Sequence, residues 1–360
     1  MKLYIGGDVV PTIHTADSFI RGDIQTLFGN ITNLTQTADA YVVNLECCLT
    51  DGGTPIRKKG PNIKAPTACI HGLKKAGITH VALANNHSVD FGEQAAREML
   101  LLLRQHGFEY FGIGDNDTLS RQICYVEKDD VKVAFVNVAE HEYTYAKKNS
   151  FGVNPFRYLN TVIDIQTAKQ NADYVIVLFH GGKEYCRYPS PRLMETCRLM
   201  AVAGANLVAC QHSHCVGCYE EYEGCHILYG QGNYNFVKRF DNEHWQTGLL
   251  LEVTATKTSF TVNYIPTCTT QTGIDVATGK TKDDILNGIR TRNQSLKDGT
   301  WMQGWQSFVD SVKDDYTSKT ARSFSPDATE DEKERFPHFL DCEAHLDVLK
   351  TLYPSWHGKD

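Results

Sequence analysis

Three observations predict an α/β layered fold. Apolar runs alternate with helical patterns over the first 266 residues, 41% of the 360 residues are hydrophobic against 22% charged, and polar groups collect just after the apolar runs. Residues 3–10 read as a strand and residues 17–28 as a helix opened by Asp17. Residues 40–46 form the next strand, followed by a long Gly/Pro/Lys loop. Residues 81–85 form another, followed by an amphipathic helix over 92–106. Buried strands are predicted at 131–139, 174–180 and 207–212, with helices over 160–172 and 191–204 between them. Past residue 226 the helices stop, and 226–229, 248–254 and 260–265 read as antiparallel neighbours.

After Pro266 the composition shifts to Thr, Lys, Asp and Gly through about residue 282, which reads as a linker or surface excursion. Helical patterns return at 283–292, 301–312 and 330–353. The expected organisation is a main domain over 1–266, then a linker and helical C-terminal extension over 267–360 packed on it. Trp301 and Trp305 suit that packing better than catalysis.

With 36 basic against 43 acidic residues the net charge is −7, which argues against a nucleic-acid-binding surface. The N-terminus carries no apolar stretch of signal-peptide length, and no window reaches the roughly 18 to 20 apolar residues of a membrane span. Twelve cysteines, several within apolar runs, read as reduced thiols. The expectation is a cytoplasmic protein without a membrane span.

Chemistry-bearing residues follow five apolar strands: Asp8; Glu46; Asn86 with His87; His180; and His212 with His214. In layered α/β folds that edge is where sites form. A single strand-end Asp is ordinarily a cap or turn former. Two carboxylates, an amide oxygen and three imidazoles together make a donor set for Mn²⁺, Fe²⁺ or Zn²⁺. One ion takes about four to six ligands, so the set suits two ions sharing a carboxylate. The spacing His212-Ser213-His214 puts both imidazoles on one side of an extended segment.

Gly7-Asp8, Asn44-Leu45-Glu46, the run from Ala84 to Gly92, His180-Gly181-Gly182-Lys183-Glu184-Tyr185, Gln211-His212-Ser213-His214 and the run from Gly230 to Phe236 occur in a fixed order. Together they resemble the motifs of the CapA capsule-synthesis, or poly-γ-glutamate biosynthesis, proteins of the calcineurin-like metallophosphoesterase superfamily. The resemblance runs from residue 2 to 266 and omits the C-terminal helices. It implies a four-layer α/β/β/α sandwich with metal ligands at Asp8, Glu46, Asn86, His180, His212 and His214, Glu46 bridging. It also implies that His87 contacts the substrate or protonates its leaving oxygen. Asp90 either orients His87 or caps the helix beginning near Gly92. The chain departs from the pattern at Val10, where the superfamily carries a further histidine, so one ion is expected to bind weakly. Gly181 and Gln211 replace the usual tryptophan and glycine.

The loop over 55–64 carries Arg57, Lys58, Lys59 and Lys64 directly after the Glu46 strand. Arg57 and Lys64 are the preferred contacts for an anionic substrate, against the reading of a basic loop as solvated surface. Tyr185 and Asn233, within the motifs, are further candidate substrate contacts. Cys215-Val216-Gly217-Cys218 has redox or zinc spacing but no second pair, and is set aside. The expected function is a two-metal hydrolase of a phosphoester or related acid-derivative bond in a small anionic substrate. The alternative is a non-hydrolytic accessory protein of capsule or poly-γ-glutamate assembly that binds an anionic polymer. His87 favours the enzyme, since a binding module needs no leaving-group histidine.

Overall fold

Strands Lys2–Val9 and Ala40–Leu45 are buried almost throughout, so both of their faces must be covered. A computed structural model describes residues 1–141 and 143–354 of the chain. The first sheet runs Ile274–Val276, Phe260–Thr269, Thr247–Ala255, Lys2–Val9, Ala40–Leu45, His80–Ala82, Glu109–Phe111. The last four of these strands are parallel, and the first four are antiparallel. The second sheet runs Tyr219–Tyr222, Cys225–Leu228, Leu207–Gln211, Tyr174–His180, Val131–Ala139, Cys124–Lys128, with parallel inner pairs and an antiparallel strand at each edge.

Alternation along each strand sorts its side chains into two cores. Leu3, Ile5 and Val42 meet Val133, Phe135, Ile176 and Leu178 between the sheets. Tyr4, Tyr41 and Val43 face outward beneath the helices that carry Phe19, Leu73 and Met99. Val136, Val175 and Val177 lie beneath Tyr158–Asn171 and Pro191–Ala203. The result is the expected α/β/β/α sandwich.

Four local expectations change. The helix over 17–28 is two, because Gly22 turns left-handed at φ 63° and Asp23 caps a second helix by accepting from the Thr26 amide. Cys225–Leu228 lies parallel to Leu207–Gln211 in the second sheet, reached through the short strand Tyr219–Tyr222 rather than a helix. The stretch taken for a linker holds sheet: Phe260–Thr269 continues past Pro266, and Ile274–Val276 pairs with its end. The final helical pattern is three helices, Glu330–Lys333, Arg335–Asp341 and Glu343–Leu352, with Cys342 extended between the last two.

The C-terminal helices, Trp301–Ser323 among them, are docked through a core of their own. Fully buried Trp305 packs with Val309, Tyr316, Phe339, Val348 and Cys186 of the sandwich. Ion pairs link Lys59 to Asp331, Arg57 to Glu334 and His141 to Glu343, and Arg192 Nε donates to Asp347 at 3.0 Å. No described helix is long and apolar enough to cross a membrane. All twelve cysteines are free thiols.

Candidate metal centre

Parallel register sets the site. Asp8 pairs with Asn44 in the first sheet, placing Glu46 just beyond the same edge. His180 pairs with Gln211 in the second, placing His212 just beyond it. Donor atoms of Glu46, His180 and His212 lie within 4.8 Å of one another, as do those of Asp8, Glu46 and His214. Glu46 belongs to both groups. Asn86 Oδ1 lies 3.0 Å from His180 Nε2, which is 3.4 Å from Glu46 Oε1. All six expected ligands therefore converge.

The paired histidines converge differently from expectation. The strand ends at Gln211, and His212 and His214 take left-handed φ of 81° and 54°. Two backbone reversals, rather than strand alternation, aim the imidazoles inward; side-chain-bearing residues hold such angles only under surrounding constraint. The His212 amide donates to Asp8 Oδ2 at 3.1 Å, and His214 Nδ1 lies 2.9 Å from Asn233 Oδ1.

Whether the donors fit a divalent cation is tested by Glu46. It is fully buried, and among the described residues neither carboxylate oxygen has a hydrogen-bond partner. Burial, followed by the charge of Asp8, pushes its pKa well above the usual carboxylate range. A buried carboxylate left unmatched is costly, and a cation between the two donor groups would match it. The Asp8 group has Val10 nearby in sequence, an apolar buried residue, where the resemblance expects an imidazole.

Asn44 is the residue that sequence reasoning missed. Its amide donates to Asp8 Oδ1 at 2.7 Å, lies 3.2 Å from His180 Nδ1, and accepts from Asn85 at 2.9 Å, so it holds ligands from both sheets. An Asn two residues before a ligand, inside an otherwise apolar strand, was the available signal.

Asp90 does not cap a helix. Phe91 occupies the N-cap of Gly92–Gln105, while buried Asp90 takes His87 Nδ1 at 2.6 Å, Lys58 Nζ at 2.5 Å and the Ile63 amide at 2.7 Å. Those contacts fix the imidazole and pin the basic loop.

A cavity of about 770 Å³ opens over the ligands and is lined by Asn86, His87, Tyr185, His212 and His214. Of the basic loop, Lys58 and Lys59 line it. Arg57 faces an adjoining cavity and pairs with Glu334, and Lys64 lies over the Phe91 ring, its Nζ 3.4 Å from the Gly52 carbonyl. The structure thus turns the inner two lysines, not Arg57 and Lys64, toward the cavity, because Asp90 and Asp331 hold them there. Asn233 contacts His214 from behind, its amide donating to the Trp245 carbonyl at 3.0 Å. The C-terminal helices, expected only to pack, supply Phe308, Tyr316, Lys319, Arg335, His338 and His345 to the cavity roof. Burial pushes the Cys215 and Cys218 thiols up to about 11 and about 12, away from redox use.

The layers and the ligand cluster define the class: an α/β/β/α sandwich whose parallel strand ends carry residues able to hold metal. The chain belongs to the bacterial capsule synthesis protein family PGA_cap, which it matches over residues 2–238. It is 28% identical over 239 residues to the capsule biosynthesis protein CapA of Bacillus anthracis, covering 64% of this chain and 58% of that protein. It is 32% identical over 168 residues to the PGA biosynthesis protein CapA of Bacillus subtilis (strain 168), covering 46% and 44%. The chain spans about half the length of the curated relatives it matches. Solved structures similar to it include a hypothetical protein from Thermus thermophilus (13% identity, TM-score 0.48, 74% of this chain and 99% of that one). Another is a 5'-nucleotidase from Candida albicans (10% identity, TM-score 0.37, 73% and 50%).

Proposed function

We propose that the chain is a metal-dependent hydrolase of a phosphoester or related acid-derivative bond in an anionic substrate. The observation that carries this reading is Glu46, buried with neither oxygen hydrogen-bonded among the described residues, between two donor groups at the base of a cavity lined by cationic side chains. Asp8 and His214 would hold one divalent ion, His180, His212 and Asn86 a second, with Glu46 shared. Mn²⁺, Fe²⁺ and Zn²⁺ all accept this donor set, and the three-donor group without a histidine at Val10 would bind its ion more weakly. Such ions supply Lewis-acid polarisation and a water of lowered pKa.

The remaining work falls to the protein. Seven cationic side chains line the cavity; Lys58, Lys59, Lys183 and Lys319 are paired with Asp90, Asp331, Glu184 and Asp315, and Lys238, Arg239 and Arg335 add the positive charge that attracts an anion. His87 donates Nδ1–H to Asp90, whose charge orients the ring and favours its imidazolium, the form that would give its Nε2 proton to the leaving oxygen and return to the neutral Nδ1–H ring. Phe308, Val312, Tyr316 and Phe339 in the roof exclude water from that proton.

A second reading is an accessory protein that binds an anionic capsule polymer without cleaving it. Both curated relatives are named for biosynthesis rather than hydrolysis, which favours it. The test is to supply Mn²⁺ to the purified chain and assay phosphomonoesters, phosphodiesters and γ-glutamyl peptides. Hydrolysis that is lost in His180→Ala together with metal, and that falls about 10²- to 10⁴-fold in His87→Ala with metal retained, supports the enzyme. Stoichiometric metal binding with every substrate inert supports the accessory protein.

A further inference from the structure

A second cavity, of about 810 Å³, shares the segment 236–247 with the first: Arg239 and Trp245 line the metal-ligand cavity, while His244 and Gln246 line this one. It holds none of the candidate metal ligands. Its distinguishing residues are two guanidinium groups, Arg187 and Arg292. Arg292, on the helix Gly279–Lys297, is only 6% exposed, and its Nε donates to the Gly217 carbonyl at 3.2 Å.

Arginine keeps its charge in proteins, and a buried guanidinium is ordinarily paired with a carboxylate. Among the described residues neither Arg187 nor Arg292 forms an ion pair. The three carboxylates of the same cavity stand at its rim: Asp241 is exposed, Glu243 has an 87% exposed side chain, and Asp284 is 60% exposed and bonded to Lys280 at 2.5 Å. Burial, then the charge of Arg187, disfavours the protonated form of Arg292. His244 is likewise pushed below the usual imidazole range by burial and by Arg187, with Arg292 adding to the effect and Glu243 opposing it. The interior of this cavity is an uncompensated positive region.

We propose that the Arg187–Arg292 cavity is an anion-binding site, separate from the metal-ligand cluster, that takes an oxyanion of the phosphate or carboxylate type. Two guanidinium forks present parallel N–H donors that match such an anion bidentately. Thr269 and Thr281, which also line the cavity, carry further hydroxyl donors. The site does not depend on the hydrolase reading, because no metal ligand contributes to it.

The test uses the full chain stripped of metal with a chelator and titrated at constant ionic strength, so that general screening cancels. The probes are inorganic phosphate in one arm and glutarate in the other, followed by calorimetry and thermal melting. Saturable binding of one probe identifies the headgroup chemistry. Arg187→Gln, a change at a half-buried position, is expected to weaken binding at least about tenfold, the loss of charged hydrogen bonds. Lys319→Gln, in the metal-ligand cavity, alters only anion uptake in that cavity and is expected to leave the component lost in Arg187→Gln unchanged. Arg292→Lys, which keeps the charge but loses the fork, should weaken it as well; if that variant does not fold, Arg187→Gln decides alone. The proposal is overturned if neither probe binds beyond chloride at equal ionic strength. It is equally overturned if Lys319→Gln weakens binding while Arg187→Gln does not.

Discussion

Replacing Glu46 by glutamine keeps the side-chain shape and removes its charge, so it separates the cost of this residue from its use. In metal-free protein both carboxylate oxygens are buried without a hydrogen-bond partner. Each unsatisfied buried acceptor costs about 1 to 3 kcal/mol. The neutral amide places its oxygen where His180 Nε2, 3.4 Å from Oε1, can donate to it, and no longer sets a carboxylate beside Asp8. Metal-free Glu46→Gln is therefore expected to be more stable than wild type by about 1 to 3 kcal/mol. Metal reverses the order. An ion at a hundred times its dissociation constant adds about 2.7 kcal/mol to the wild type, raising its melting temperature by roughly 3 to 4 °C. The variant, lacking the shared ligand, should respond to Mn²⁺ by under about 2 °C. Paired thermal melts with chelator and with Mn²⁺ read both effects. If the variant gains as much from Mn²⁺ as the wild type does, or is the less stable of the two without metal, the assignment of Glu46 is wrong.

Asn44→Ala leaves every ligand in place yet should weaken Mn²⁺ binding about 10- to 100-fold by calorimetry, since Asp8 and His180 lose the amide that orients them. Asp347→Ala should cost about 3 kcal/mol in denaturant unfolding, because Arg192, held between Glu140 and Asp347, loses one carboxylate. Docking of the last helix should also depend on pH. His141 is raised above its ordinary pKa of about 6.5 by its bond to Glu343, so its contribution is complete below that pH and is lost as pH rises through the folded value. Burial pushes Glu343 up, but its bond to His141 brings it below the ordinary value of about 4.3, so its contribution is lost only as pH falls further. Wild type should therefore gain up to about 1 kcal/mol over His141→Ala at pH 5.5, and less at pH 8, in melts at the two pH values.

The candidate ligands were legible in the sequence because each follows an apolar strand directly, and parallel register carries strand ends to one edge. Periodicity gave the layered α/β class and the family resemblance the sandwich, apart from boundaries decided by single residues such as Gly22. What it missed depends on loop conformation. Nothing in the spacing of Arg57, Lys58, Lys59 and Lys64 tells which two face inward; that is settled by Asp90 and by Asp331, which lies far along the chain. His212 and His214 were placed together for the wrong reason, because alternation says nothing about left-handed backbone. Asn44 looked like one polar residue in a strand until both of its partners were seen.

The family match stops at residue 238, whereas Arg239, Trp245 and the roof helices that enclose the cavity lie beyond it. The candidate metal ligands and the roof of the cavity are thus written in separate stretches of the gene product, although Lys58, Lys183 and Tyr185 of its wall belong to the first. A lineage could trade the second stretch and acquire a new preference while the inherited chemistry stayed intact. A chimaera joining this sandwich to another member's C-terminal portion should carry over selectivity rather than create reactivity.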